Sequence, residues 1–317
     1  MNQLRIDPLT GQQVLIAADR SLRPQDFVVD DSLTERSSPA SKRGCPFCAG
    51  HEQETPPTVA ESCDEQGNWQ VRVVPNKYPA VTGELGMHEV IIESPEHVTD
   101  PADLDVQQWT RILTVQRDRL RYWLADKRYQ SVALFKNAGP AAGASLAHVH
   151  SQLTAFQFLP QGFAHELRRA DAYRRERGDC YFSAAVTEAQ SSGDRLVLAD
   201  KNFTLLCPYP ARLPYETWIL PNEHQPRFEQ VRDQVIAGLA EVLLTLLKAL
   251  GSFLPDAAYN LMLHTAPAVD DFDESYRWHW KLLPRTSRLA GLELGSGVMI
   301  NSVAPELAAE RLRSTIH

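Results

Sequence analysis

E-V-I-I-E-S-P-E-H, residues 89–97, is echoed by E-T-W-I-L-P-N-E-H, residues 216–224, at an offset of 127. Each copy reads as a short apolar strand closing in a turn whose last residue is histidine. A long amphipathic segment follows each turn. One carries Trp109, Ile112, Leu113, Gln116, Leu120, Trp123 and Leu124, the other Val231, Val235, Leu239, Val242, Leu243 and Leu246. Spacings of three and four predict a helix in both. Next, A-L-F-K-N-A-G-P (133–140) aligns with N-L-M-L-H-T-A-P (260–267) at the same offset, so that Asn137 answers to His264. Last, A-H-V-H-S-Q-L (147–153) is matched by Y-R-W-H-W-K-L (276–282), two residues out of phase. A fixed order at a fixed offset predicts a duplicated unit of strands, helix and strands.

The chemistry is intact in one copy only. His148, His150 and Gln152 alternate, and on a strand side chains two apart share a face. The second copy has Arg277, His279 and Lys281 at those places. The loop before the first trio, G-P-A-A-G-A-S, offers Ser145 and the backbone N–H groups of 143–147 as a phosphate cradle. A half-buried strand with satisfied polar groups is the plainer reading of a single histidine; the ordered trio behind a glycine loop favours a site. Upstream, R-G-C-P-F-C-A-G-H (43–51) places Cys45 and Cys48 on a knuckle that directs two thiolates at one zinc ion. Zinc takes four ligands, and His51, Cys63, His88, His97 and His148 are the candidates for the other two. A redox pair is disfavoured, because the motif opens no helix and follows no βαβ pattern.

With 317 residues, 43% of them hydrophobic and 23% charged, the chain has material for a substantial core. A net charge of -8 disfavours nucleic acid or an anionic membrane as partner, so that phosphate recognition is expected to be local. The N-terminus lacks the apolar core of a signal peptide, and no run of about 18 apolar residues is apparent, which predicts a cytoplasmic protein with no membrane span. The five cysteines, odd in number and irregular in spacing, suit a reducing compartment.

Taken as a set, D-P-L-T-G, C-P-F-C, S-P-E-H, F-K-N-A-G, H-V-H-S-Q and A-G-L-E-L-G-S-G resemble the galactose-1-phosphate uridylyltransferase branch of the histidine triad superfamily. The resemblance implies an α+β fold of two fused histidine-triad-like units, each an antiparallel sheet with a long helix. We expect residues 1–165 to form the catalytic unit and 166–317 a degenerate one that supplies a sugar-binding segment. It further implies that Cys45, Cys48, His97 and His148 hold one structural zinc, that His150 is the nucleophile and that Gln152 holds a phosphate oxygen. Asn137, Gly143 and Ser145 would line the phosphate pocket with Arg20 and Arg23, Asn76 would sit at the nucleoside end, and Glu293 and Asn301 would meet the sugar. The family's dimer, in which a neighbour completes the site, is the expected assembly.

Glutamine at the third position bears on the leaving group. An amide donates a hydrogen bond but no proton, which suits a sugar phosphate able to depart without an acid, its second ionisation lying near about 6. The leading expectation is UMP transfer between sugar 1-phosphates, of the UDP-glucose plus galactose 1-phosphate type, with ping-pong kinetics. A competing expectation is phosphorolysis of ADP-glucose, since the S-Q ending resembles the ADP-glucose phosphorylase branch. A third is a silent, zinc-stabilised nucleotide-binding scaffold. A second metal site exists in two versions among family members; here Arg277, Lys281 and Ser183 interrupt both, so His224, His264 and His279 are expected to make structural hydrogen bonds.

Overall fold

The echo at residues 89–97 and 216–224 becomes the scaffold of the molecule. The computed structural model describes residues 2–18, 44–269 and 272–316. A small sheet joins β1 (Gln3–Ile6) and β2 (Gln13–Ile16) to the late strand β13 (Met299–Asn301), in the order β1-β2-β13. The first unit consists of β3 (Ala60–Cys63), β4 (Trp69–Pro75), β5 (Gly86–Ile92), helix α1 (Val106–Ala125), β6 (Ser131–Ala138) and β7 (His150–Phe156). Helices α2 (Gln161–Arg177) and α3 (Tyr181–Ser192) follow. The second unit repeats the first as β8 (Leu196–Ala199), β9 (Phe203–Leu206), β10 (Thr217–Pro221), α4 (Asp233–Phe253), β11 (Tyr259–His264) and β12 (His279–Pro284). Two short helices, α5 (Gly291–Ser296) and α6 (Pro305–Arg313), flank β13.

All ten strands of the two units form one antiparallel sheet, β3-β4-β5-β7-β6-β11-β12-β10-β9-β8. Its order reads as a half followed by its reverse, as two-fold repetition requires. The halves meet where β6 pairs with β11, Asn137 opposite Asn260. The division expected at 165/166 falls inside α2, whose Leu167 and Ala170 pack with Phe182 of α3 and Trp218 of the second unit.

The expected helices form with local causes. The carboxylate of Asp105 caps α1 by accepting from Gln108 N–H at 2.7 Å, and Trp109, Ile112, Leu113 and Leu120 are buried. The predicted second helix starts at Asp233, so Val231 lies just outside it, buried in the approach. Both helices cover one sheet face, and Arg117 of α1 donates to Asp233 Oδ1 at 2.5 Å and to the Val231 carbonyl at 3.0 Å. The expectation of no membrane-length apolar segment needs correction. α4 has 21 residues and is long and apolar enough to cross a bilayer. Its Ile236, Leu239, Leu243 and Leu246 lie instead in the main core beside Ile219, Leu261 and Trp280, while Gln234, Glu241 and Lys248 form an exposed stripe, as an amphipathic helix laid on a sheet requires.

The opposite sheet face differs between the units. In the second it is filled by α2 and α3 through Leu167, Phe182, Trp218 and Tyr276. In the first it carries a small cluster of Cys45, Phe47, Val74, Val90 and Ile92 beside which the candidate site lies.

Candidate active site

Register fixes the pocket face. Ile92 is opposite His150 and Val90 opposite Gln152, so both polar side chains share the face of the knuckle cluster. Ser151 and Leu153 point the other way, Ser151 Oγ accepting from Gln116 Nε2 of α1 at 2.9 Å. The expectation that His148 also sits on this strand is corrected: β7 begins at His150. Before it the chain leaves the ladder, Val149 N–H donating to the Val98 carbonyl at 2.9 Å and its carbonyl accepting from Glu93 N–H at 3.2 Å.

That departure turns His148 toward the cysteines. Its Nε2–H donates to the Ser94 carbonyl at 2.9 Å, which leaves Nδ1 facing Cys45 Sγ and Cys48 Sγ, each 3.6 Å away. His97 Nδ1 lies 3.4 Å from Cys48 Sγ. The ligand atoms of Cys45, Cys48, His97 and His148 are all within 4.8 Å of one another, a group that could hold a metal ion. Burial pulls the His148 imidazole down to about 4, so it offers a neutral nitrogen. Phe47, one of the two residues between the cysteines, sets its ring edge-on to His148 at 6.0 Å and to His150 at 5.3 Å. His51 pairs with Glu54, and Cys63 is exposed near Glu61, away from this group.

His150 donates from Nδ1 to the His148 carbonyl at 2.7 Å. The proton is thereby fixed on Nδ1 and the lone pair on Nε2. Burial holds this imidazole below its ordinary value, so it is neutral near pH 7. From beneath, Lys136 Nζ donates to the His150 carbonyl at 2.9 Å and to Glu93 Oε2, a buried ion pair.

Gln152 is oriented by a residue the sequence reading left aside. Ala80 N–H donates to His88 Nδ1 at 3.0 Å, so His88 carries its proton on Nε2 and donates to Gln152 Oε1 at 2.9 Å. With its oxygen held in this way, the Gln152 amide keeps its NH2 group for another acceptor. Asn76 borders the same group, with Nδ2 3.5 Å from Gln152 Oε1 and Oδ1 accepting from Tyr78 N–H at 2.8 Å. Asn137, in register with His150 just past the last ladder pair, reaches the glycine loop. Its Nδ2 is 3.6 Å from where a Cβ on Gly143 would stand.

The loop itself is a tight turn, with Gly143 left-handed at φ +89°. Gly143 and Ala144 N–H donate to the Pro140 and Gly139 carbonyls. This corrects the cradle expected from residues 143–147, leaving 145–147 as the N–H groups the turn does not use. Ser145 is exposed at its rim. Arg20 and Arg23 lie outside the described residues. Glu293 sits on α5, its carboxylate accepting from Ala290 N–H at 3.0 Å. Asn301 is corrected to a structural role: it is fully buried on β13, Nδ2 donates to the Ala211 and Leu213 carbonyls, and Oδ1 accepts from Val303 N–H.

The second unit repeats the nucleophile's backbone device, His279 Nδ1 donating to the Arg277 carbonyl at 2.9 Å. Here, though, Phe182, Trp218 and His264 surround the ring at 4.5, 5.3 and 5.0 Å, and it is completely buried. Arg277 Nη2 donates to Ser183 Oγ at 2.7 Å, and His224 donates to the Asp273 carbonyl at 2.6 Å. The sequence reading missed Glu166. Its ligand atom lies with those of His264 and His279 within 4.8 Å, a second group that could hold a metal, although Lys281 Nζ stands 3.9 Å from its carboxylate.

Two fused histidine-triad-like units, one of which carries His150 and Gln152 beside a knuckle of two cysteines, give the outline of a nucleotidyltransferase, and comparisons with known proteins agree. A model described as a domain of unknown function, DUF4921, matches residues 83–317. ADP-glucose phosphorylase of Arabidopsis thaliana is 31% identical over 98% of this chain and 92% of its own length. Galactose-1-phosphate uridylyltransferase of Thermotoga maritima is 26% identical over 99% of both. The crystal structure of the Arabidopsis thaliana ADP-glucose phosphorylase with bound ADP-glucose superposes with a TM-score of 0.87, covering 99% of this chain and 98% of that one. The chain belongs to the galactose-1-phosphate uridylyltransferase-like family of nucleotidyltransferases.

Proposed function

We propose that this protein passes a nucleoside monophosphate from a nucleoside diphosphate sugar to a phosphate acceptor through a covalent adduct on His150. The observation that carries the reading is the hydrogen bond from His150 Nδ1 to the His148 carbonyl, which leaves the lone pair on Nε2, on the same strand face as Gln152. The Nε2 pair attacks the α-phosphorus, an N–P bond forms, and the P–O bond to the sugar phosphate breaks with its electrons staying on the departing oxygen. No proton need be supplied to a phosphate leaving group. The amide nitrogens of Gln152 and Asn137 face the non-bridging oxygens, with the loop at Gly143 and Ser145 beside them; Asn76 lies toward the nucleoside. In the second step an acceptor oxygen attacks the same phosphorus and frees the imidazole.

Two thiols and two imidazole nitrogens are the donor set of structural zinc. Zn–S bonds of about 2.3 Å and Zn–N bonds of about 2.0–2.1 Å imply tetrahedral S–N edges of about 3.5 Å, against 3.4–3.6 Å here. Such an ion would fix His148, and with it the carbonyl that holds the His150 tautomer. Exposed Leu289, Leu292 and Leu294 flank Glu293, an apolar edge suited to the family's dimer, in which this segment would meet the sugar.

For the acceptor, the higher identity to ADP-glucose phosphorylase, 31% against 26%, favours phosphorolysis of ADP-glucose over transfer to galactose 1-phosphate, reversing the order expected from sequence. The test is intact-protein mass spectrometry with ADP-glucose and with UDP-glucose. We expect an AMP adduct, released by inorganic phosphate and absent in His150→Ala. An adduct that persists in His150→Ala, or no adduct from either nucleotide sugar, overturns the proposal; a UMP adduct released by galactose 1-phosphate returns the sequence order.

A further inference from the structure

Asn260 belongs to the second unit, yet its side chain reaches the glycine turn of the first. It is the second residue of β11, opposite Asn137, and is nine-tenths buried. Its Nδ2 donates to the Ala142 carbonyl at 2.9 Å and to Asn137 Oδ1 at 2.8 Å. A backbone carbonyl only accepts, so the Asn260 amide must present its NH2 group to Ala142. The same NH2 group then faces Asn137, whose nearer atom must be the oxygen. Asn260 Oδ1 is buried with no hydrogen-bond partner, a cost incurred by holding this orientation. Asn137 is left with Nδ2 directed toward the glycine turn.

We propose that Asn260 is a positioning residue that locks Asn137 with its N–H groups toward the phosphate pocket, so that the non-catalytic unit sets the polarity of the catalytic site. The device matches His88 on Gln152: in both cases an outer donor holds the amide oxygen and the N–H groups remain for an anion. An amide turned over would instead present a carbonyl oxygen to phosphate, exchanging attraction for repulsion. The inference rests on the nucleotidyl-transfer reading for what the pocket binds, but the orientation itself does not.

Asn260→Asp removes the donor while keeping the shape, and its carboxylate can accept from Asn137. The expected result is that Asn137 turns over and kcat/KM for the nucleotide sugar falls by about 10²-fold, the scale for losing one donor to an anionic transition state. In an Asn137→Ala background the same change should cost less than about twofold, because independent effects add and shared ones do not. Asn260→Leu, donor-free and uncharged, should show the same dependence on Asn137 and serves if the aspartate variant folds poorly. An equal loss with and without Asn137, or wild-type kinetics in both variants, overturns the inference. Should the wild type transfer no nucleotide, the proposed function fails instead. A neutron structure of the variant, in which the amide oxygen and the deuterated nitrogen are told apart, then decides, an unturned Asn137 amide overturning the inference.

Discussion

Removing the ammonium of Lys136 tests how the nucleophile's strand is held. Lys136 is 2% exposed and Glu93 is fully buried, and Glu93 Oε1 has no other partner. In Lys136→Met, Glu93 is left alone in the core. It can escape by taking up a proton, so the penalty is capped by the cost of protonating a carboxyl whose unfolded value is near 4.3. That is about 3.7 kcal/mol at pH 7 and about 1 kcal/mol at pH 5. The sign follows from a raised folded pKa: the penalty is absent below the unfolded value and grows as pH rises. Urea denaturation followed by circular dichroism at the two pH values gives the difference, and Lys136→Met/Glu93→Met should recover most of the loss at pH 7. An equal loss at both pH values, or no recovery in the double variant, would refute the account.

Cys48→Ser should lower bound metal from about one per chain to well below it, measured by inductively coupled plasma mass spectrometry. The same variant should slow adduct formation more than it lowers nucleotide-sugar affinity, since it loosens His148 and not the pocket amides. Thermal stability should fall on acidification from pH 7.5 to 5.5. Burial holds His264 and His279 below their ordinary values, so the fold takes up these protons less readily than the unfolded chain, which does so below about 6.5. Their contribution is full above that value and lost as pH falls, by up to about 1.4 kcal/mol per pH unit for each histidine. Differential scanning fluorimetry of His279→Phe, which should flatten the profile, checks the assignment.

The duplication was readable because hydrophobic spacing and turn residues recur at a fixed offset, and the sheet order repeats it. His150 and Gln152 were readable because alternation on a strand fixes a face. The zinc-type group needed more than spacing: spacing left His97 one histidine among several, the family resemblance selected it, and the geometry places it 3.4 Å from Cys48 Sγ. His88, Lys136, Glu93, Glu166 and Asn260 carry no local signature, since each acts through a partner distant in sequence. Asn260 answers to Ala133 at the repeat offset, and its contact with Asn137 arises only from the docking of β6 on β11. Asn301 misled for the converse reason: an asparagine beyond a glycine turn looks free until its neighbours are known.

Joining β6 to β11 has a consequence for how the molecule came to be and how it can be taken apart. Either half alone would present a bare ribbon of peptide N–H and C=O groups along its inner border, with a greasy helix flank beside it where α1 meets α4. A lone half would therefore seek a twin, and the present polypeptide has the form of such a twin pair tied in tandem, one member free to lose its chemistry while still closing the seam. Cut between β7 and α2 and produced as separate fragments, the two pieces should find each other again along that border.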